Sequence, residues 1–123
     1  MKYLRINYET ENMKKAVIFD DYKTMIKCMM LNGWAVKAFL PVTTLPSGKV
    51  IRADLMFEKA EYKEVVFQEI FAKKANINNQ EFYDSYRITI QQYEDDGYKL
   101  GTCIPYEYTP CGQVKVMTLV FYK

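Results

Sequence analysis

Two stretches of this sequence decide the fold: LPSGKVIRADLMFEK (residues 45–59) and TPCGQVKVMTLVFYK (residues 109–123). From its second residue, each stretch has a proline, a small residue, a glycine, a polar residue and a valine. In each, a phenylalanine and a closing lysine follow the glycine at the same distances. Because repetition at a fixed spacing is the signature of a duplicated unit, the sequence predicts an internal repeat.

The similarity extends well beyond these two stretches. With a shift of 64 positions, residues 19–59 align with residues 83–123 without a gap. The identical pairs are Asp20/Asp84, Tyr22/Tyr86, Ile26/Ile90, Gly33/Gly97, Pro41/Pro105, Pro46/Pro110, Gly48/Gly112, Val50/Val114, Leu55/Leu119, Phe57/Phe121 and Lys59/Lys123. Upstream the shift becomes 59, with a five-residue insertion near 76–80. The sequence thus predicts two repeats, 1–60 and 61–123, in one compact unit.

Each repeat predicts the element order β-α-β-β. Residues 2–8 alternate as a strand does, while the counterpart at 62–71 has helical propensity and is interpreted as a strand by analogy. The following helices are predicted to be capped by Asp20 or Asp21 and by Asp84 or Ser85, and to end at Gly33 and Gly97. A hairpin with a long proline-flanked loop completes each repeat.

The predicted fold class is α+β. We expect the six strands to form a mainly antiparallel sheet or a sandwich, with two helices. In the first repeat, one face of the last strand is polar, with Arg52, Asp54, Met56 and Glu58. The same face in the second repeat is mainly apolar, with Val116, Thr118, Val120 and Tyr122. Packing against the other repeat would explain that apolar face, and so would a homo-oligomer interface.

The composition excludes several functions. The chain has no histidine, which removes the usual general base and the commonest transition-metal ligand. No phosphate-binding glycine loop or zinc-ligand spacing is present, so no cofactor is expected. The net charge of +2 disfavours nucleic-acid binding. The apolar runs are too short to cross a membrane, and the first residues do not resemble a signal peptide, so a cytoplasmic protein is expected.

Three cysteines, Cys28, Cys103 and Cys111, are expected to be free thiols in a cytoplasmic protein. Cys28 on its helix is interpreted as a small buried residue. If the second hairpin were symmetric about Glu107, Cys103 and Cys111 would lie opposite each other and could pair. Free structural thiols are the alternative interpretation.

The proline-flanked loops are the best candidates for a binding site. Tyrosine combines a rigid apolar ring with a polar tip and is enriched at interfaces. Since the repeat relates the two loops, they could converge into one site. The predicted site residues for a ligand or partner are Thr43, Thr44, Lys49, Tyr106, Glu107, Tyr108 and Thr109. The alternative is that these tyrosines only cover the edge of the core.

The chain also resembles a known type of domain. The motifs are Gly33-Trp34, Gly97-Tyr98 and the strand endings 57–59 and 121–123. They are similar to those of a short β-α-β-β domain of unknown function from bacteria and phages. The resemblance covers both repeats but implies no activity, because the motifs belong to the fold.

Three functions remain open from the sequence. The first is a non-enzymatic binding protein that blocks a protein partner, as a phage or mobile-element inhibitor of a host defence system. The second is a protein that sequesters a small anionic, nucleotide-type ligand between repeats or between protomers of a homo-oligomer. The third is a small enzyme with a site of tyrosine, lysine and cysteine.

Overall fold

The computed structural model describes residues 2–7, 15–71, 79–109 and 112–123, and the side chains of 22–71, 85–105, 107–109 and 112–123. In chain order its elements are β1 (Lys2–Asn7), α1 (Lys15–Leu31), β2 (Trp34–Thr44), β3 (Val50–Lys59), β4 (Val65–Phe71), α2 (Asn79–Asp95), β5 (Lys99–Tyr108) and β6 (Val114–Tyr122). The ambiguous segment 62–71 contains a strand, as predicted from the first repeat.

The strands form two three-stranded sheets with the orders β1-β3-β2 and β4-β6-β5. All four strand pairs are antiparallel, and the last strand of each half lies in the centre of its sheet. This confirms the predicted α+β class, with two helices and six strands in antiparallel sheets. Neither helix in the described part of the chain has the length and apolar character that crossing a bilayer would require.

The helix ends agree with the prediction, whereas the starts do not. Gly33 and Gly97 adopt φ values of 84° and 90° directly after the helices, a backbone conformation that costs glycine little. The predicted caps are wrong, however. Helix α1 begins at Lys15, so Asp20 and Asp21 lie inside it, and α2 begins at Asn79, ahead of Asp84 and Ser85. The stretch that aligns between the two repeats starts inside each helix, so the predicted caps lie after the true helix starts.

Bulges interrupt the alternation of faces along the second strand of each half. In β2 the pairing with β3 shifts between Val36 and Ala38, and Leu40 is 46% exposed, although strict alternation from buried Val36 would place it on the core face. In β5 the shift lies between Leu100 and Thr102. A bulge adds one residue and so reverses the faces of the residues that follow it. Leu100 and Ile104 consequently belong to different core clusters.

The larger core cluster contains residues from both halves of the chain. Helix α1 contributes Tyr22 and Ile26, β3 contributes Leu55 and Phe57, and β6 contributes Val120. The ring of Tyr22 meets that of Phe39 edge to face at 5.6 Å. Helix α1 also contacts β4, where Lys23 and Lys27 lie over the ring of Phe67. Helix α1 therefore packs against both sheets.

The second sheet is covered on both faces. Val116, Val120 and Tyr122 of β6 join the cluster around α1. Leu119 and Phe121, on the opposite face, pack with side chains of α2. The apolar second face of β6 is thus explained by packing against the first half of the chain. The corresponding face of β3 is partly or fully exposed, in keeping with its charged residues.

The two sheets meet where β2 passes β5. The Val36 amide donates a buried hydrogen bond of 2.8 Å to the hydroxyl of Tyr122. A side chain at Gly101 would clash there, since its Cβ would lie 2.6 Å from the Tyr122 ring. Burial raises the pKa of Tyr122 to about 12, so the hydroxyl stays protonated at neutral pH.

Tyr122→Phe is expected to lower the free energy of unfolding by about 1–3 kcal/mol, because the buried Val36 amide loses its acceptor. Denaturant titration measures the effect. Tyr98→Phe is the matched control, since it removes an exposed hydroxyl bonded to Glu64 and should cost under about 0.5 kcal/mol. Equal losses in the two variants would show that the Val36–Tyr122 bond does not stabilise the contact between the sheets.

Candidate functional site

Most of the predicted site residues lie in strands and not in loops. Strand β2 continues through Thr44, and β5 continues through Tyr108. Thr43 pairs with Arg52 and Thr44 with Val50, so both threonines belong to the hairpin ladder. The predicted loops are therefore too long, because bulges near Pro41 and Pro105 let the strands continue past proline.

The two hairpin ends converge, which the sequence left open, and they meet through their backbones. Lys49 and Glu107 form an isolated antiparallel bridge. The Tyr108 amide donates a hydrogen bond of 2.8 Å to the Gly48 carbonyl. Glu107 is only 9% exposed. This arrangement, which we call the hairpin joint (Gly48, Lys49, Glu107 and Tyr108), holds the two halves together.

The other predicted residues here are also involved in local structure. Tyr108 is half-buried against the larger core, and burial raises the pKa of its hydroxyl. Thr109 closes the second hairpin, because its hydroxyl accepts a hydrogen bond of 3.1 Å from the Gln113 amide. The side chain of Tyr106 lies outside the described residues. The geometry thus favours the interpretation that these residues cover the core edge, and a binding role for them stays a prediction.

The geometric argument for a disulfide is wrong. Cys103 pairs with Leu119 in the sheet, and the turn of the hairpin lies between Tyr108 and Val114, not at Glu107. Cys111 lies outside the described residues. Cys103 packs in the cluster with α2, where burial raises the pKa of its thiol. Cys28 is an exposed free thiol, contrary to the prediction that it is buried.

An open cleft lies between the end of α2 and β4. Its volume is about 470 Å³. The lining is mostly polar and comprises Gln68, Thr89, Gln92, Tyr93, Asp96 and Tyr98. We call it the α2–β4 cleft. A site with several converging polar groups and two aromatic rings can fix the orientation of a bound polar group.

The end of α2 positions the two tyrosines. Gly97 turns the chain, and the Tyr98 amide donates a hydrogen bond of 3.0 Å back to the Tyr93 carbonyl, as in a Schellman motif. The rings of Tyr93 and Tyr98 therefore meet edge to face at 5.4 Å. Tyr93 also stacks on buried Phe121 at 4.2 Å, which anchors this wall of the cleft in the core.

Hydrogen bonds hold the polar groups of the cleft in place. The Tyr93 hydroxyl donates to Oε1 of Gln68 at 3.1 Å, and the Gln68 amide nitrogen donates to the Glu69 carbonyl at 3.2 Å. The Tyr98 hydroxyl donates to Oε1 of Glu64 at 2.7 Å. That hydrogen bond raises the pKa of Tyr98, and the negative charges of Glu64 and Asp96 raise it further. These bonds fix the orientation of the polar groups, and Asp96 and Glu64 contribute carboxylates at the cleft.

The sequence-based reasoning missed this cleft, although the repeat contained a signal. The cleft positions Thr89, Gln92, Tyr93, Asp96 and Tyr98 correspond in the first half to Met25, Cys28, Met29, Asn32 and Trp34. In the first half, Met25, Met29 and Trp34 pack against the core. Thr89 stands where the first copy has the packing residue Met25, and that polar replacement was the signal of a surface used less for packing in the second repeat.

The described residues contain no group of three or more histidine, cysteine, aspartate or glutamate residues that could hold a metal ion. The raised pKa of Cys103 keeps it a thiol and hence a poor nucleophile. What the cleft offers is hydrogen bonding, aromatic surface and negative charge.

The fold and the cleft together describe an α+β protein with two antiparallel three-stranded sheets and one open polar cleft. No family model matches the chain, and no curated protein and no solved structure is found to be similar to it.

Proposed function

We propose that this chain is a non-enzymatic binding protein that recognises a protein partner at the α2–β4 cleft. The observation that carries the proposal is the open, ordered cleft of about 470 Å³ beside the outer strand of the second sheet. Its walls supply amide, hydroxyl and carboxylate groups that can bond to a peptide segment. The lining tyrosines supply rigid surface of the kind that dominates binding energy at protein interfaces.

We propose further that the chain arose by tandem duplication of one β-α-β-β unit. The two halves share element order and sheet order. They also share the positions of their strand irregularities, since the shifts at Val36/Ala38 and Leu100/Thr102 are 64 residues apart. A bulge at a fixed position is a specific feature, and its recurrence supports a common origin. In this proposal, helix α1 of the first copy packs in the core, while helix α2 of the second copy lines the binding cleft.

The other functions fit the cleft less well. A small anionic ligand would face the carboxylates of Asp96 and Glu64. An enzyme site of tyrosine, lysine and cysteine would need a lysine and a cysteine beside the tyrosines, and the described lining includes neither. Phage origin and action against a host defence system remain part of the proposal, and they rest on the resemblance of the turn and strand-end motifs. The apolar face that suggested a homo-oligomer is buried within the chain.

Photo-crosslinking in cells of the source organism tests the proposed interface. A crosslinking amino acid at Gln92, which lines the cleft, is expected to give an adduct with one protein. Gln91 is the matched control, because it lies next to Gln92 on α2 and bonds instead to Asp95 on the exposed side of the helix. Position 91 is expected to give no adduct.

Two outcomes would contradict the proposal. The first is equal crosslinking at the two positions, which would mean random contacts. The second is no adduct at Gln92 together with extra mass of a few hundred daltons on the protein in native mass spectrometry. That result would favour the ligand-sequestering alternative. The same spectrum also reports the oligomeric state of the protein.

A further inference from the structure

The cleft already has a cation next to it. The ammonium group of Lys123 lies over the ring of Tyr98, 5.0 Å from its centre. The backbone of Lys123 is held there by three hydrogen bonds. Its carbonyl accepts from the Lys63 amide at 3.0 Å and from the Glu64 amide at 3.1 Å, and its own amide donates to the Glu64 carbonyl at 3.0 Å. An ammonium over a tyrosine face is attracted by the ring quadrupole. The Tyr98 ring is thus oriented so that a cation can lie on it.

The charge around the cleft also favours a cation. Helix α2 ends with Glu94 and Asp95, followed by Asp96, and its last turn has no basic residue. The C-terminal end of a helix carries partial negative charge, so acidic residues there are unfavourable by themselves. A bound cation would relieve that repulsion. Glu64 adds a further carboxylate, bonded to the Tyr98 hydroxyl.

On the basis of the proposed function, we infer that the α2–β4 cleft binds a cationic side chain, arginine or lysine, from a basic segment of the partner protein. Asp96 would accept hydrogen bonds from the charged group, and the side-chain oxygens of Gln92 and Thr89 are further acceptors in the lining. Tyr98 would supply the ring against which the cation rests.

Arginine suits this lining better than lysine. Its planar guanidinium has five donors in a fixed fork, so it can bond to a carboxylate and a neighbouring acceptor together. It also stacks on aromatic rings and is less strongly hydrated than an ammonium. An arginine-containing segment is therefore expected to bind more tightly than the same segment with lysine.

NMR titration with short synthetic peptides tests the inference. The probe is an acetylated, amidated Gly-Arg-Gly peptide, and its neutral match has citrulline in place of arginine. The arginine peptide is expected to shift the amide signals of Thr89, Gln92 and Asp96, and to bind at least about tenfold more tightly than the citrulline peptide, the size of one charge-assisted hydrogen bond. Binding should weaken as salt is added.

Two variants separate a specific site from general attraction. Asp96→Asn is expected to reduce affinity for the arginine peptide about tenfold, while Asp95→Asn, outside the cleft lining, should change it less than about twofold. Lys123→Met removes the competing ammonium and should strengthen binding by a few fold. Unchanged spectra of both Asn variants in the absence of peptide would show that the fold is intact.

The results separate failure of this inference from failure of the proposed function. Equal binding of the arginine and citrulline peptides, or equal losses from the two Asn variants, would overturn the cation preference. If Gln92 still crosslinked a protein in cells, the proposed interface would stand without the cation preference. Absence of peptide binding together with absence of crosslinking would overturn both.

Discussion

Gly48→Ala is expected to lower the free energy of unfolding by about 3 kcal/mol or more, the largest effect among single exchanges to alanine at the turn glycines. Gly48 has a φ of 95°, which an alanine adopts only with strain. The added Cβ would also overlap the backbone carbonyl of Tyr108. A backbone group cannot rotate away as a flexible side chain can, so the hairpin joint must open. Denaturant unfolding measures the loss.

The chain contains its own control for this experiment. Gly112 is the counterpart of Gly48 in the second repeat and has a similar φ of 85°, but no atom of the described residues lies within 4 Å of its added Cβ. Gly112→Ala should therefore show only the conformational strain, about 1–2 kcal/mol. The difference between the variants measures the hairpin joint. Equal losses would mean that the contact between Gly48 and Tyr108 contributes nothing.

Thr118→Asp is expected to prevent folding or to cost several kcal/mol, roughly 4 or more. Thr118 is 1% exposed on the face of β6 that packs with the first half. Aspartate has a similar volume, so the change mainly buries a charge. That charge would also lie opposite Glu69, the partner of Thr118 in β4. Protonation of the introduced carboxyl should recover part of the stability at low pH, because burial raises its pKa.

Two further exchanges complete this comparison. Asp54 occupies the equivalent position in β3 but on a partly exposed face, so Asp54→Thr should cost about 1 kcal/mol or less. The hydroxyl of Thr118 has no hydrogen-bond partner among the described residues. Thr118→Val should therefore leave stability unchanged or raise it by about 1 kcal/mol. A well-folded Thr118→Asp protein would mean that the two halves do not pack through this face.

The repeat made much of the fold predictable. Two copies of the same pattern supported each other, so the ambiguous segment before Phe71 could be interpreted as a strand. Gly33 and Gly97 indicated the helix ends, because positive φ is a local property of the chain. The helix starts were predicted less well. The aspartates predicted as caps lie inside the helices, because the alignment of the two repeats begins after the first helical residues.

The candidate site was harder to predict. The sequence left convergence of the two hairpins as a possibility, but no pattern paired Lys49 with Glu107, because that contact depends on how the two halves pack. The cleft depends on Gln68 of β4 lying beside Tyr93 of α2, residues 25 positions apart that only the packed sheet brings together. No local pattern encodes such a contact, although the polar replacements in the second repeat are visible in the alignment.

The sequence by itself determined the elements, their order and the faces of β3 and β6, because turn glycines and alternating side chains act locally. The tertiary structure decided that the two halves form two sheets, that α1 packs against both of them, and that a polar cleft remains open at the end of α2. These features depend on which apolar faces pack against one another. That packing is determined by burial summed over the whole chain, and local patterns do not contain it.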